Sequence, residues 1–226
     1  MGKSLRQSRT AGLLLAIFLA ATSQSAPAAP RDSSAVKRIL VLGDSLSAGF
    51  GLRSSQAWPA LVTEKLREAG LTNFEITNAS QSGGTTEGGL RRLPPHLKHK
   101  IDIFVLELGI NDAFGGVPIA EIRNNLQSII DRVKAQNPSV RIIVCGMQLP
   151  QYTADDYVFA FGQLYADLAA KNNATLIPYF LEGVGGDSNL NQPDHIHPNA
   201  AGQKILAENV WRVLEPLAGE VSGKKL

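Results

Sequence analysis

The chain has 226 residues, 44% hydrophobic and 19% charged, with 21 glycines and 12 prolines; that composition suits one packed domain and excludes collagen, coiled coil and a disordered chain. The formal charge of +2 comes from 22 basic and 20 acidic residues, but Lys3, Arg6 and Arg9 lie in an acid-free leader, and without them 19 basic residues face 20 acidic ones, a net of −1. Nothing in that balance implies a nucleic-acid partner.

The leader comes first in the chain. Behind its three basic residues, Ala11 to Ala21 (AGLLLAIFLAA) is an uncharged apolar run of eleven residues, against the ~20 that a bilayer-spanning helix needs. Small residues follow at Thr22, Ser23, Ser25 and Ala26. This layout predicts a secretory signal peptide over residues 1–26 and an exported, periplasmic or secreted product. No cysteine stands near the run, so a lipid-modified Cys is excluded. No later segment reaches spanning length, so stable membrane insertion is not expected, and the product is read as a monomer. Residues 27–36 (PAAPRDSSAV) are a loose lead-in, 37–218 the folded domain and 219–226 a polar tail.

Within the domain, apolar runs alternate with segments of helical period. Lys37 to Gly43 reads as a buried strand. Trp58, Leu61, Val62, Leu66 and Ala69 then share one helix face, with Gly70 as the stop. Phe74 to Thr77 is a weaker second strand, and Ile103 to Leu108 a third, nearly all apolar. Ile119, Ile122, Leu126, Ile129, Ile130 and Val133 mark the clearest helix, which Asn137-Pro138 ends. Val140 to Cys145 is a fourth strand, and its Cys145, the one cysteine, reads as a buried free thiol. Tyr157, Phe161, Leu164, Tyr165 and Leu168 follow on a helix that starts after Thr153, near Asp155 and Asp156. Thr175 to Ile177 is a fifth strand, and Ile205, Leu206, Val210, Val213, Leu214 and Leu217 line the last helix.

Strands that are apolar on both faces, separated by amphipathic helices, predict a parallel sheet between helical layers. Five of them fit an α/β, three-layer α/β/α sandwich of flavodoxin-like type. In such folds ligands sit at the carboxyl ends of the strands. Those ends carry Gly43-Asp44-Ser45-Leu46-Ser47 after the first strand, Asn78 to Gly84 after the second and Gly109-Ile110-Asn111-Asp112 after the third. Asp194-His195-Ile196-His197 precedes the last helix.

Each has a chemical use. A serine hydroxyl becomes a nucleophile when a histidine takes its proton, and a carboxylate fixes that histidine's tautomer. Asp194 and His197, three residues apart, can share one turn facing Ser45. A tetrahedral oxyanion needs fixed donors, for which the Ser45 N–H, the Gly83 N–H and the Asn111 side-chain amide are candidates. Gly83, lacking a Cβ, would allow close backbone approach.

At these residues the chain resembles the GDSL, or SGNH, hydrolase family. Gly43-Asp44-Ser45-Leu46, Gly83, Gly109-Ile110-Asn111-Asp112 and Asp194-His195-Ile196-His197 match its blocks in order and spacing over roughly residues 38–217. Ala57-Trp58-Pro59-Ala60-Leu61, Arg92-Leu93-Pro94 and Leu149-Pro150 are similar to its branch of periplasmic thioesterase/lysophospholipase/arylesterases. The resemblance implies nucleophile Ser45, base His197, orienting Asp194 and oxyanion donors Ser45, Gly83 and Asn111. It implies no cofactor and no metal, and a small acyl ester, thioester or lysophospholipid as substrate. Two positions depart from the branch: Ile110 stands for a second glycine, and Gly84 for an aspartate.

Gly186-Asp187-Ser188 repeats the tripeptide without a preceding strand and reads as a turn. His195 is one position off the pair and is expected to point elsewhere, His96 and His99 to be solvated, and Asp112 to brace its loop. Leu149-Pro150 and Ala113 to Pro118 could wall an acyl pocket or merely shape loops. Asp44, Asn111, His195 and His197 could instead hold metals of a phosphoesterase. A carbohydrate esterase of the same fold and a non-catalytic lipid- or glycan-binding module complete the alternatives.

Overall fold

A computed structural model describes residues 1–2, 35–150 and 156–224, and the fold below lies within Arg31–Leu226. The expected signal peptide, apart from its first two residues, most of the lead-in, and the Thr153-Asp155 approach to a helix lie outside the described residues.

Five strands form one parallel sheet in the order β2-β1-β3-β4-β5, with β1 at Lys37–Gly43, β2 at Phe74–Asn78, β3 at Ile103–Glu107, β4 at Arg141–Cys145 and β5 at Thr175–Ile177. Strand β1 is interior, pairing Ile39 with Ile76 on one side and with Ile103 on the other, and β3 is the central strand. All five residues of β3 are buried, whereas β2, at the sheet edge, buries only Phe74. Burial on both faces is what the near-continuous apolar runs required.

Helices cover the two faces in separate sets. Helix α1 is the single turn Ser45–Ala48, and α2 spans Trp58–Glu68. Then come α3 (Thr86–Arg92), α4 (Ile110–Phe114), α5 (Ile119–Gln136), α6 (Asp156–Asn172) and α7 (Ala200–Ser222). Helix α2 packs against α7, while α3 packs against α5 and α5 against α6, with the sheet between. Each long helix buries the stripe read from its period: Ile122, Leu126, Ile129, Ile130 and Val133 of α5 are all under 2% exposed. A buried side chain of that size contributes ~1.5–3 kcal/mol, so this stripe alone anchors the layer.

The last helix is longer than the sequence suggested. Asn199 caps its start, its side chain accepting from the Ala201 and Gly202 N–H groups, and Gly223 closes it in left-handed geometry. Ala218 and Gly219 are buried, so the boundary at 218 falls inside the helix and the polar tail begins only after Ser222. Helices α1, α3 and α4, at four to seven residues, escaped the periodicity because they are too short to repeat it. Cys145 is free and buried at the end of β4. Among the described residues no helix is long and apolar enough to cross a membrane.

The strand order reverses beside β1, so a crevice opens at the carboxyl ends of β1 and β3. Ser45 follows the first of these strands and Asn111 the second.

Candidate active site

Strand β1 turns abruptly into α1. Asp44 caps the turn, its Oδ1 accepting from the Leu46 N–H at 2.9 Å, and Gly49 ends it at φ 74°. Ser45 thereby becomes the first residue of a helix, where a backbone N–H has no helical partner.

The loop before α7 brings the remaining groups. His197 Nε2 lies 3.0 Å from Ser45 Oγ, and His197 Nδ1 lies 2.7 Å from Asp194 Oδ2. Asp194 Oδ1 also accepts the backbone N–H groups of Ile196 and His197, at 3.0 Å each. The His197 backbone donor, then its ring, hold the Asp194 carboxyl down at about 2, against an ordinary 3.8. An ionised Asp194 on Nδ1–H leaves Nε2 as the acceptor facing Ser45. The Phe50 ring packs against His197 with centroids 4.4 Å apart. Gln192 ties these segments together: its N–H donates to the His197 carbonyl and its side-chain amide to the Phe50 carbonyl, both at 2.7 Å. Neither Phe50 nor Gln192 carried a sequence signal.

Behind the serine lies a buried network that the motif does not announce. Glu107, fully buried at the end of β3, accepts on Oε2 from the Asp44 N–H at 3.1 Å and the Ser47 hydroxyl at 2.7 Å. Ser47 in turn accepts from the Trp58 indole at 3.0 Å. Gln203 of α7 accepts from the Trp58 N–H and donates to the Leu46 carbonyl. Burial pushes the Asp44 carboxyl up to about 6, and burial with the Asp44 charge drives Glu107 well above the usual range. Arg92 donates to the Gly43 and Ala79 carbonyls, at 2.6 and 3.1 Å.

The expected oxyanion donors are placed unequally. Asn111 Nδ2 donates to Asp44 Oδ2 at 3.1 Å and to the Gly84 carbonyl at 3.0 Å, and its residue lines the same cavity as Ser45. Gly83 lies instead along a neighbouring depression of about 350 Å³, beside Gly84, Arg91 and Arg92. Its backbone conformation supplies a further reason for glycine. A Cβ there would meet nothing within 4 Å, but its φ of 71° is left-handed. The crowded position is Gly84, whose Cβ would lie 2.8 Å from the Gln81 carbonyl oxygen. The aspartate usual in the related branch would collide there. Asp112 braces as expected, accepting from the Thr86 N–H and hydroxyl.

A cavity of about 590 Å³ opens beside Ser45 and His197. Ile110, Phe114, Leu149, Pro150, Tyr179 and Leu181 form an apolar part of its wall, and its volume is within the size range of small-molecule sites. So Phe114 and the Leu149-Pro150 corner do line a pocket. His195, expected to point away, lines it too, with φ 58°. Gly186 of the second Gly-Asp-Ser copy, with Gly185 before it, borders the cavity, so that turn stands at its wall. Among the described residues no group of three or more His, Cys, Asp or Glu side chains could hold a metal ion. The Asp44 carboxylate that the metal alternative needs is engaged by Leu46 and Asn111.

Known proteins similar to this chain identify its family. A model described as the GDSL-like lipase/acylhydrolase family matches residues 41–205. Esterase TesA of Pseudomonas aeruginosa is 42% identical over 187 residues, covering 82% of this chain and 92% of that protein. The thioesterase 1/protease 1/lysophospholipase L1 of Escherichia coli is 36% identical over 191 residues, 84% of this chain and 89% of its own. A crystal structure of TesA superposes with a TM-score of 0.75 at 42% identity, over 80% of this chain and 99% of the other.

Proposed function

The chain belongs to the GDSL-like lipase/acylhydrolase family and is on that ground an ester hydrolase, and from this premise we propose that it works through Ser45, His197 and Asp194 on acyl esters and thioesters. The observation that carries the reading is the line Ser45 Oγ, His197 Nε2, His197 Nδ1, Asp194 Oδ2, with gaps of 3.0 and 2.7 Å, at the edge of a largely apolar cavity.

The steps follow from those atoms. Ser45 Oγ attacks the acyl carbonyl carbon as its proton passes to His197 Nε2, and the carbonyl electrons move onto oxygen. Asp194 stabilises the imidazolium that forms. The Ser45 N–H, the Gly83 N–H and one Asn111 Nδ2 hydrogen are the donors assigned to the oxyanion. Collapse expels the alcohol or thiol, which takes the proton from His197 and leaves an acyl-Ser45 ester. Water then attacks that ester with His197 again as base, and release of the carboxylic acid restores Ser45. No cofactor enters the cycle.

In this reading the acyl chain enters the cavity, which the apolar part of the wall supports, and the alcohol or thiol faces solvent. Aryl esters, acyl thioesters and lysophospholipids are the substrate classes of this reading, in line with the names of relatives, among them an arylesterase of Vibrio mimicus. The leader assigns the enzyme to the exported fraction. The experiment is a panel of p-nitrophenyl acyl ester, acyl-CoA, lysophospholipid and acetylated sugar, run on wild type and Ser45→Ala. Turnover of at least one of the first three, lost in Ser45→Ala, is expected. Turnover of the acetylated sugar alone would favour a carbohydrate esterase, and no turnover on any would favour a binding module.

A further inference from the structure

The buried carboxyl behind the nucleophile has no role in the scheme above, yet two groups of the serine's turn converge on it. Glu107 sits on β3 directly opposite Gly43 of β1 and is fully buried. Its Oε2 receives two hydrogen bonds, from the Asp44 N–H and the Ser47 hydroxyl, the residues one before and two after Ser45. Its Oε1 is buried with no protein donor directed at it among the described residues. A buried carboxylate oxygen without a donor is costly, whereas a carboxylic acid oxygen carrying its own proton needs an acceptor instead.

That acceptor is at hand. Asp44 is the neighbouring carboxyl, and it already receives the Leu46 N–H on one oxygen and Asn111 Nδ2 on the other. Burial raises both carboxyls, and each lies near enough to influence the other's titration. The other titratable groups facing Glu107 do not offer it a direct ion pair. Arg92 spends its guanidinium on the Gly43 and Ala79 carbonyls, and Cys145 and Tyr165 are buried groups that favour their neutral forms.

We infer that Glu107 is a positioning residue for the hydrolysis: as a neutral carboxylic acid it holds the Asp44 N–H and the Ser47 hydroxyl on Oε2 and donates from Oε1 to the Asp44 carboxylate, so that one network fixes both the Ser45 turn and the Asn111 amide. The inference rests on the proposed function for its catalytic meaning. The protonation itself is a property of the fold. Two carboxyls this close, buried together, hold one proton between them more readily than two charges.

Two measurements test it. A glutamine reproduces the acid, with a carbonyl oxygen for the two donors and an N–H for Asp44, while a leucine of similar size reproduces neither. Glu107→Gln should keep kcat within about three-fold of wild type, and Glu107→Leu should lose about 10–100-fold in kcat with KM nearly unchanged. Rescue by Gln and not Leu separates positioning from mere filling of the core. If Gln is as damaging as Leu, or Leu keeps wild-type kcat, the inference fails. Infrared spectroscopy at about pH 8, where Asp44 is ionised, supplies a readout that needs no turnover. Wild type should show a protonated-carboxyl C=O band that Glu107→Gln lacks, and a wild-type spectrum without that band would overturn the proposal. A chain inactive on every ester that still shows the band would refute the proposed function and leave the buried acid standing.

Discussion

Gly43 and Glu107 are matched side by side across β1 and β3, and the Glu107 carboxyl fills the place where a Gly43 side chain would begin. A Cβ on Gly43 would stand 2.5 Å from Glu107 Oε2 and 2.8 Å from Ser47 Oγ. The glycine before the aspartate and serine is therefore required by packing and not by backbone freedom, since its φ is not positive. Gly43→Ala should destabilise the protein by ~1–3 kcal/mol through overpacking, and lower kcat as the Ser45 turn shifts. Gly162→Ala is the contrast. It sits inside α6 with nothing within 4 Å of a new Cβ, and should stabilise by ~0.5–1 kcal/mol. Urea denaturation of both variants gives the comparison, and equal effects would contradict the packing argument.

The two Gly-Asp-Ser copies give a second test. Ser45 has His197 at 3.0 Å, while the other copy forms a turn in which Asp187 caps the Asn189 N–H at 2.8 Å. A fluorophosphonate should label the peptide containing Ser45 and not that containing Ser188. Ser45→Ala should abolish ester hydrolysis, and Ser188→Ala should leave it near wild type. Labelling at Ser188 would remove Ser45 from its assigned role.

What the sequence disclosed follows from range. The long helices and β1, β3, β4 and β5 were legible because their apolar period repeats over many residues or because a run is apolar throughout. The Asp194–His197 turn was legible because its hydrogen bonds span three residues. Glu107 was hidden inside Ile103-Phe104-Val105-Leu106-Glu107, where it reads as a polar interruption of a strand, because its partners Asp44 and Ser47 lie 63 and 60 residues away. Gln203 was hidden in the same way inside α7. The left-handed backbone of Gly83 was hidden too, since a backbone dihedral is invisible until the turn is built.

Acid behaviour should separate two aspartates with opposite signs. Asp194 titrates at about 2 in the fold against 3.8 ordinarily, so its contribution to stability is present above about 3.8 and lost as pH falls toward 2; its exposure keeps that contribution small. Asp44 runs the other way. Its carboxyl is raised from 3.8 to about 6, so between those values the native protein holds a proton the unfolded chain has released, and stability falls as pH rises. Asp44→Asn removes that slope. The Tm of Asp44→Asn relative to wild type should therefore climb between about pH 4 and pH 7. A constant difference across that window would mean that Asp44 is not a buried charge at neutral pH.

The adjacent pair Asn111 and Asp112 tests function against structure. Asn111 Nδ2 directs its hydrogens at Asp44 and at the Gly84 carbonyl, so serving an oxyanion requires one of those bonds to be exchanged for the substrate oxygen. The exchange matters only once negative charge has formed, when a charge-assisted bond exceeds the neutral one to Gly84. Asn111→Ala should then cost ~10²–10³ in kcat with KM moving far less, because the donor acts on the transition state. Asp112 touches no part of the cavity wall. It receives the Thr86 N–H and hydroxyl, and Asn125 in turn donates to that hydroxyl, joining the loop after β3 to α3 and α5. Asp112→Ala strands those buried donors and should lower Tm by several degrees, with kcat of the folded fraction much less affected. If instead Asn111→Ala raises KM and spares kcat, its amide binds ground-state substrate or holds the Gly84 turn, and the oxyanion is left to backbone N–H groups alone.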